Sequence, residues 1–502
     1  MATISEAIQV ALAHHQAGRF EQAEQIYRQV LKADPRHPGA LHLLGLIASQ
    51  VGKYEIAVQL ISQAIRHDGA QAAFHANLGE AYRGLGRLDE AKACYQQALR
   101  IRPDLAEANN NLGTILQAKG QLADAIACYE RAIASKPDYA DAHNNLGTAF
   151  HDQRQWEAAI ASYRRAAEAE PGYAKAHYNL GVALEAQGKL ETAAAAFRKA
   201  IDVDGEYAEA HYCLALILQK REQWLEAQAA FEQALRIRPA FAEAYSSLGA
   251  VYQAQGRLGD ALGCYQQSLR IQPDYPEAHY NWGSLLKAQN QFPEALAKFR
   301  RAIQLKPNFA EAHYNLGAAL QRLDRLDEAI AAYQEALRLR PDFALAHNNL
   351  GNVYQARGET DLALACYEQA LGIDPERGET FHQLGLPKQQ QGGCAETYNN
   401  LSTALHQQGK LAKALAGFER TLLLEPDFPE AHYNRALVYL SQGRFLEGWP
   451  EFEWRLRCKT YPVRMISQPL WDGSSFAGRT LLVHAEQGFG DTLHFARYLP
   501  LV

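Results

Sequence analysis

The most regular feature of this chain is an alternation of apolar and polar residues with the period of an α-helix, cut at fixed intervals by glycine or proline. In residues 106–139 this pattern predicts a first helix over 106–119 that ends at Gly120. A second helix is predicted over 122–135, because Pro137 prevents its continuation. Each unit of this kind is therefore expected to be a helical hairpin.

Four kinds of residue recur along the chain with a spacing of 34 residues. Glycines stand at Gly45, Gly79, Gly113, Gly147, Gly181, Gly249, Gly283, Gly317, Gly351 and Gly385, and Ala215 fills the one gap. A proline, an alanine and an aromatic residue four positions after that alanine follow the same spacing, as at Pro137, Ala125 and Tyr129. The self-similarity predicts a repeat protein.

The small residues of the repeat have a structural explanation. Gly113 and Ala125 are expected where the two helices of a hairpin cross closely, beside an apolar stripe that contains Leu112 and Tyr129. One hairpin cannot bury this stripe alone, so neighbouring hairpins should stack and cover it. The sequence therefore predicts an all-α fold, an α-solenoid.

This pattern resembles the tetratricopeptide repeat, over roughly the first 460 residues. The resemblance implies a superhelix of stacked helical hairpins. The expected divisions are eleven repeats at 4–377, a half repeat at 378–394, two further repeats at 395–460, a linker at 461–478, and the start of another domain at 479–502.

The half repeat interrupts the regular spacing. The lattice residue after Gly385 is Ser402, only 17 positions later, and Pro387 falls inside the predicted helix. Two interpretations stay open, a structural joint and a functional hinge, and we favour the joint. In either case proline and glycine should disturb helix packing here, so limited proteolysis should cut near 385–394 first.

Asparagine recurs two residues before the lattice glycine, although it is a poor residue for the middle of a helix. We call these residues the asparagine ladder: Asn77, Asn111, Asn145, Asn179, Asn281, Asn315, Asn349, Asn400 and Asn434. In one repeat the ladder residue shares a helix face with Glu107, Thr114 and Ala118, none of which is a core type. The ladder should therefore line the polar, concave side of the superhelix.

An asparagine amide offers two donors and an acceptor, so it can bind the backbone of a peptide whatever its side chains are. The ladder is similar to the asparagine ladder inside the superhelix of O-linked N-acetylglucosamine transferases, which implies sequence-tolerant binding of extended or disordered protein segments. The alternative is that the amides bind neighbouring repeats or water. Cys213 and Ser247 interrupt the ladder, so the groove could be divided.

Histidines and cysteines also follow the repeat. The histidines at one repeat position are His143, His177, His211, His279, His313, His347 and His432. Zinc needs ligand nitrogens at about 2.0–2.1 Å, whereas equivalent residues of adjacent repeats should lie roughly 10 Å apart, so packing is expected rather than a metal site. Cys94, Cys128, Cys264 and Cys366 share another position, which alanine or serine fills elsewhere, and are read as small packing residues in a reducing cytoplasm.

Composition limits the partners. The net charge of −6 is mild and argues against a nucleic-acid partner. No apolar run approaches the roughly 18 residues that span a bilayer, and the first residues lack a signal-peptide pattern. A cytoplasmic protein without membrane partner, metal or cofactor is expected.

The pattern changes near the C-terminal end. A short apolar run at 480–484 predicts a buried strand, the loop 487–491 contains Gly488, Gly490 and Asp491, and 492–499 reads as a helix. Together with PLWDG at 469–473, this stretch resembles the opening of the Rossmann-like glycosyltransferase domain that follows tetratricopeptide repeats in many bacterial proteins, and of heptosyltransferase-type enzymes. The resemblance implies that Asp491 is the catalytic base and that the glycine loop is a candidate anion site.

Two functional interpretations follow. The first is a scaffold that binds extended polypeptide segments. The second is the substrate-binding part of a protein glycosyltransferase, with nucleotide-sugar as a partner only where a complete catalytic domain exists. Because one strand and one helix cannot form a donor pocket, we expect no sugar transfer from residues 1–502 alone, and the enzyme interpretation is the less favoured one.

Overall fold

The computed structural model describes residues 3–373 and 393–458. These residues form helices joined by short turns, and no strand occurs among them. The chain divides into two compact units, Met1–Gln272 and Pro273–Val502. In both units the helices pair into hairpins, and we call the first helix of each pair helix A and the second helix B.

The first unit contains eight hairpins. Its helices are α1 Ile4–Gln16, α2 Phe20–Ala33, α3 Pro38–Gln50, α4 Tyr54–His67, α5 Ala72–Gly84, α6 Leu88–Ile101, α7 Ala106–Ala118, α8 Leu122–Ser135, α9 Ala140–Asp152, α10 Trp156–Ala169, α11 Ala174–Ala186, α12 Leu190–Val203, α13 Ala208–Lys220, α14 Trp224–Ile237, α15 Ala242–Ala254 and α16 Leu258–Ile271.

The described part of the second unit continues with the same hairpins. Its helices are α17 Pro276–Ala288, α18 Phe292–Leu305, α19 Ala310–Arg322, α20 Leu326–Leu339, α21 Ala344–Ala356, α22 Thr360–Ile373, α23 Gly393–Gln407, α24 Leu411–Leu424, α25 Pro429–Ser441 and α26 Phe445–Phe452, followed by a 3₁₀ turn at Glu453–Arg457. The all-helical solenoid predicted from the repeat is confirmed. Across both described ranges, no helix has the length and apolar character needed to cross a membrane.

The turn inside each hairpin needs a residue with positive φ. Gly120 has φ 73° in the turn between α7 and α8, a conformation that glycine adopts without steric cost. Four other hairpins place a side chain there instead, at Arg154, Glu222, Asn290 and Asp324, with φ between 57° and 59°.

The two helices of a hairpin cross at the lattice glycine. A Cβ atom added to Gly113 would lie 2.6 Å from Cε1 of Tyr129, closer than two carbon atoms can pack. The Tyr129 ring is fully buried against this glycine, and its hydroxyl donates a hydrogen bond of 2.9 Å to Oε1 of Gln117. The close crossing predicted from the sequence is thus confirmed.

Neighbouring hairpins stack and share a core. One cluster of buried side chains joins Tyr95, Leu112 and Leu146, which belong to three successive hairpins. This arrangement covers the apolar stripe that a single hairpin would leave in water, as the sequence predicts.

The hairpins also stack across the shortened repeat. Ala404 of α23 packs into one buried cluster with Leu364 and Tyr367 of α22. Helix α23 therefore packs against α22 in the place of the next helix A. The chain between these two helices is 17 residues longer than in a regular repeat. Most of the predicted half repeat 378–394, together with the linker 461–478 and the Rossmann-like segment 479–502, lies outside the described residues.

The last described helix B departs from the repeat. Helix α26 contains Pro450 and ends at Phe452, and the chain continues in a 3₁₀ turn. The Trp454 ring of that turn stacks on His432 with a centroid distance of 4.0 Å and an interplanar angle of 13°. A bidentate ion pair between Arg435 and Glu451 also joins α25 to α26.

Candidate peptide-binding face

The polar face of helix A lies opposite the hairpin core. In α7, Glu107 and Ala118 are exposed, and Asn111 and Thr114 are half-buried. Leu112, on the opposite side of the same helix, is buried in the core. The face predicted for the asparagine ladder is therefore accessible at both ends and partly covered at its centre.

The partial cover comes from contacts between ladder residues and the preceding hairpin. Asn145 Nδ2 donates to Asn110 Oδ1 at 3.0 Å, and Asn179 Nδ2 donates to Asn144 Oδ1 at 2.9 Å. In both pairs the acceptor stands 35 residues earlier, immediately before a ladder residue. The amides are thus tied into a row that runs from hairpin to hairpin.

The carboxylate of Glu80 is the partner of Asn111, whose Nδ2 donates to Oε2 at 3.3 Å. Burial raises the pKa of Glu80, but hydrogen bonds from Arg83 and Tyr95 oppose it and the net shift is downward. A carboxylate can only accept, so this contact sets which end of the Asn111 amide faces Glu80.

The first ladder residue, Asn77, has a histidine as its partner. Its Nδ2 lies 2.8 Å from His42 Nε2, and the His42 ring stacks on Phe74 at 4.3 Å. Burial, with a smaller contribution from His15, lowers the pKa of His42 to about 4. The ring is therefore neutral near pH 7, and its Nε2 accepts from Asn77.

The second unit uses tyrosine hydroxyls as acceptors. Asn315 Nδ2 donates to Tyr280 Oη at 2.9 Å and to the Glu311 carbonyl at 3.2 Å. Its Oδ1 accepts from Lys287 Nζ; burial lowers the pKa of that lysine. Asn349 Nδ2 likewise donates to Tyr314 Oη at 3.1 Å.

The ladder keeps its register beyond the shortened repeat. Asn400 Nδ2 lies 3.4 Å from Asn348 Oδ1 and 3.0 Å from Asn352 Oδ1. Asn434 Nδ2 lies 3.3 Å from both Asn399 Oδ1 and Thr403 Oγ1. Asn281 is half-buried at the same position of α17.

A second row of residues, which the repeat pattern did not lead us to predict, therefore supports the ladder. Its members stand one position before a ladder residue: Asn110, Asn144, Tyr280, Tyr314, Asn348 and Asn399. The recurring dipeptides Asn-Asn and Tyr-Asn are the signal that could have revealed it. The sequence left open whether the ladder amides bind a peptide or bind neighbouring repeats or water. The structure contains hydrogen bonds between ladder amides and the neighbouring repeat.

The ladder is interrupted in α13, where a thiol takes the place of the amide. Cys213 replaces asparagine in α13, and its Sγ lies 3.9 Å from Tyr178 Oη, again 35 residues earlier. Burial raises the pKa of Cys213 to about 11, so the side chain is a neutral thiol near pH 7. Stacking continues here, but this position offers no amide.

The repeated histidines have a common structural role. Each places Nε2 within 2.8–3.2 Å of a backbone carbonyl six residues earlier, in the loop before helix A. In α7, Asn109 replaces the histidine and donates to the Pro103 carbonyl at 2.9 Å. The packing interpretation is thus supported by a specific hydrogen bond, and residues 3–373 and 393–458 contain no cluster of three metal-ligating side chains.

The repeated cysteines are half-buried or buried side chains of helices B. Burial raises the pKa of Cys94, Cys264 and Cys366 to about 11, and Cys128 is buried. All of them are free thiols. The candidate residues Gly488, Gly490 and Asp491 lie outside the described residues.

Comparison with known families matches several stretches of the array to repeat models. Models described as tetratricopeptide repeat match residues 14–78, 70–138 and 344–377, and one described as TPR repeat matches 322–358 and 403–443. A model of the C-terminal domain of cilia and flagella-associated protein 70 matches residues 105–315.

The individual proteins that resemble this chain share low sequence identity with it. Protein FlbA of Caulobacter vibrioides is 28% identical over 21% of this chain, and the chain spans about a quarter of FlbA, 24% of its length. The match to a chain of the APC/C hetero-tetramer Cut9–Hcn1 covers 91% of this chain and 94% of that chain, with 14% sequence identity and a TM-score of 0.47.

Shorter solved structures match part of the array. YrrB, described as a TPR protein with an unusual peptide-binding site, is 26% identical over 37% of this chain and 96% of its own, with a TM-score of 0.31. MamA is 26% identical over 32% of this chain and 95% of its own, with a TM-score of 0.31. The 34-residue lattice, the stacked hairpins and the family models agree, and the chain is a tetratricopeptide-repeat protein.

Proposed function

We propose that this chain is a protein-interaction scaffold that holds extended polypeptide segments along the asparagine ladder. The observation that carries the proposal is the row of hydrogen bonds from ladder amides to the preceding hairpin, such as Asn145 to Asn110 and Asn179 to Asn144. These bonds hold each amide in place before a ligand arrives, which reduces the rotamer entropy lost on binding.

The fixed amides of Asn145 and Asn179 would present their oxygens to a ligand. One N–H of Asn145 is used by Asn110, which leaves Oδ1 and the second N–H for a peptide group. For Asn111 the carboxylate partner Glu80 dictates that the nitrogen points to the preceding hairpin, and Oδ1, which accepts from Asn110 Nδ2 at 3.4 Å, keeps one lone pair for a ligand. Backbone N–H groups of a bound segment are accordingly the favoured partners of the ladder oxygens.

The repeat spacing fits an extended ligand. Equivalent residues of stacked helices should lie roughly 10 Å apart, and an extended chain rises ~3.3 Å per residue. One ladder amide would then meet about every third residue of the segment. Because the amides bind backbone groups, the scaffold should accept many sequences.

The test uses Asn111, Asn145 and Asn179 together. We expect the triple alanine variant to bind fluorescently labelled, unstructured 12-residue peptides more weakly, by about 1 kcal/mol per lost hydrogen bond. The matched control is Asn109→Ala, which removes an amide of the same helix α7 that binds the Pro103 carbonyl. A triple variant that folds like the parent by circular dichroism and binds the peptides equally well would overturn the proposal.

A narrower form of this function is the substrate-binding part of a protein glycosyltransferase. Its support is the resemblance of residues 469–502 to the opening of such a domain, with Asp491 at the position of the catalytic base. The test is incubation of the purified chain with labelled nucleotide-sugars and lysate proteins. Transfer above background that disappears in Asp491→Ala would favour this form.

A further inference from the structure

The ladder face of helix A changes character in the second hairpin. Leu43 of α3 stands one repeat before Asn77, at the position that amides hold in later hairpins. Leu46 likewise stands one repeat before Glu80, at a position that threonine holds in α7 and α9. Both leucines are half-buried. The ladder face of α3 is therefore apolar, whereas that of α7 is polar.

An open cavity of about 420 Å³ lies against these two leucines, and we call it the leucine cavity. Leu12 of α1 and Phe20 of α2 add to its apolar lining. The side chains of His15, Gln16 and Gln50 also border it. The cavity is thus formed where the first two hairpins meet.

The lining of the cavity is held in place by contacts within the protein. Gln50 Oε1 of α3 accepts a hydrogen bond from His15 Nε2 of α1 at 2.7 Å. The His15 ring packs edge-on against Phe20 and Tyr27, with centroid distances of 5.7 Å and 6.4 Å. A cavity that is already formed demands little ordering of the protein when a ligand group enters it.

The leucine cavity adjoins the first residue of the ladder. Helix α3 supplies Leu43 and Leu46 to the cavity, and its His42 is the partner of Asn77, with 2.8 Å between Nε2 and Nδ2. Equivalent residues of stacked helices should lie roughly 10 Å apart, and an extended chain rises ~3.3 Å per residue. A segment bound along the ladder would therefore reach the cavity about three residues beyond Asn77.

We propose that the leucine cavity takes one large apolar side chain, such as leucine, from the segment bound along the ladder. The inference rests on the proposed function and adds a point of selection to it. Moving an apolar side chain from water into an apolar cavity is favourable, and at Leu43 and Leu46 no side-chain amide is offered to the backbone of the segment. The ladder then accepts many sequences, while the cavity selects an apolar residue near one end.

The experiment compares two fluorescently labelled, unstructured 12-residue peptides. One carries leucine at both ends and the other carries alanine there, so that both directions of binding are covered. The parent protein should bind the leucine peptide about fivefold more tightly or more, because the larger side chain buries more apolar area.

The decisive variant is Leu43→Asn/Leu46→Thr, which gives α3 the pair that α7 has at Asn111 and Thr114. This variant should bind the two peptides with equal affinity. The matched control is Leu216→Thr, which changes a half-buried leucine at the repeat position of Leu46, five repeats further along the chain. The control should keep the preference for leucine.

Each outcome decides for or against the leucine cavity. Equal binding of both peptides by the parent would overturn the inference, and weaker binding of both by the triple alanine variant of the ladder would leave the proposed function standing. A preference that persists in Leu43→Asn/Leu46→Thr, folded like the parent by circular dichroism, would overturn it as well. So would loss of the preference in Leu216→Thr. A parent that binds neither peptide would contradict the proposed function and, with it, this inference.

Discussion

Asn179 donates a hydrogen bond of 2.9 Å from Nδ2 to Oδ1 of Asn144, which is 1% exposed and lies 35 residues earlier in the chain. The contact crosses from one hairpin to the next. It gives a buried polar atom a partner that only the following repeat can supply. The asparagine ladder therefore contributes to the stacking of hairpins as well as to the proposed ligand face.

This pair predicts an energetic coupling. Asn179→Ala should lower the free energy of unfolding by about 1–3 kcal/mol, because Asn144 Oδ1 loses its donor while remaining buried. The double variant Asn144→Ala/Asn179→Ala should lose less than the sum of the two single variants. Urea unfolding of all four proteins measures the coupling, and strictly additive losses would contradict it.

The lattice glycines predict a steric effect. Gly113→Ala should destabilise the protein by about 1–3 kcal/mol, since the new methyl group would overlap the buried ring of Tyr129. The matched control is Gly172→Ala, where no atom lies within 4 Å of the added Cβ. Thermal unfolding of both variants tests this, and equal shifts of Tm would show that the crossing can adapt.

The hairpin turns predict a gain in stability. Glu222 has φ 57°, a region that costs a residue with a side chain roughly 1–2 kcal/mol, so Glu222→Gly should raise the free energy of unfolding. Asn290→Gly, at φ 59° in the equivalent turn, should gain less because asparagine tolerates this region. Chemical denaturation can rank the two, and a loss of stability in Glu222→Gly would contradict the steric explanation.

Burial of His42 predicts acid sensitivity in the first unit. Its pKa is lowered from 6.5 to about 4 in the fold, so between these values the unfolded chain binds the proton more readily. Stability should fall as the pH drops below 6.5, by about 2 kcal/mol at pH 5, and the loss is complete below pH 4.

The control for this pH effect is His42→Gln, which retains an amide partner for Asn77 but does not titrate. Urea unfolding of parent and variant at pH 7.5 and pH 5 separates His42 from the other titrating groups. The parent should lose more stability than the variant on acidification. Equal losses in both proteins would assign the acid sensitivity elsewhere.

The sequence by itself determined the hairpins and their internal packing. It predicts helices over 106–119 and 122–135, and the structure has Ala106–Ala118 and Leu122–Ser135. The close approach of Gly113 and Tyr129 was equally predictable. Helix periodicity, breakers and small residues act within a few turns of the chain, so they can be read along one repeat.

Only the tertiary structure decided how hairpins meet. The acceptors Asn110 and Asn144 belong to the hairpin before their donors, and the offset of 35 residues follows from how two helices A lie side by side. The contact between Ala404 and Leu364 is likewise a tertiary contact, because the two hairpins stack although the spacing of the repeat is altered. These contacts join residues distant in the chain, and their geometry depends on the packing of whole helices, which no local pattern encodes.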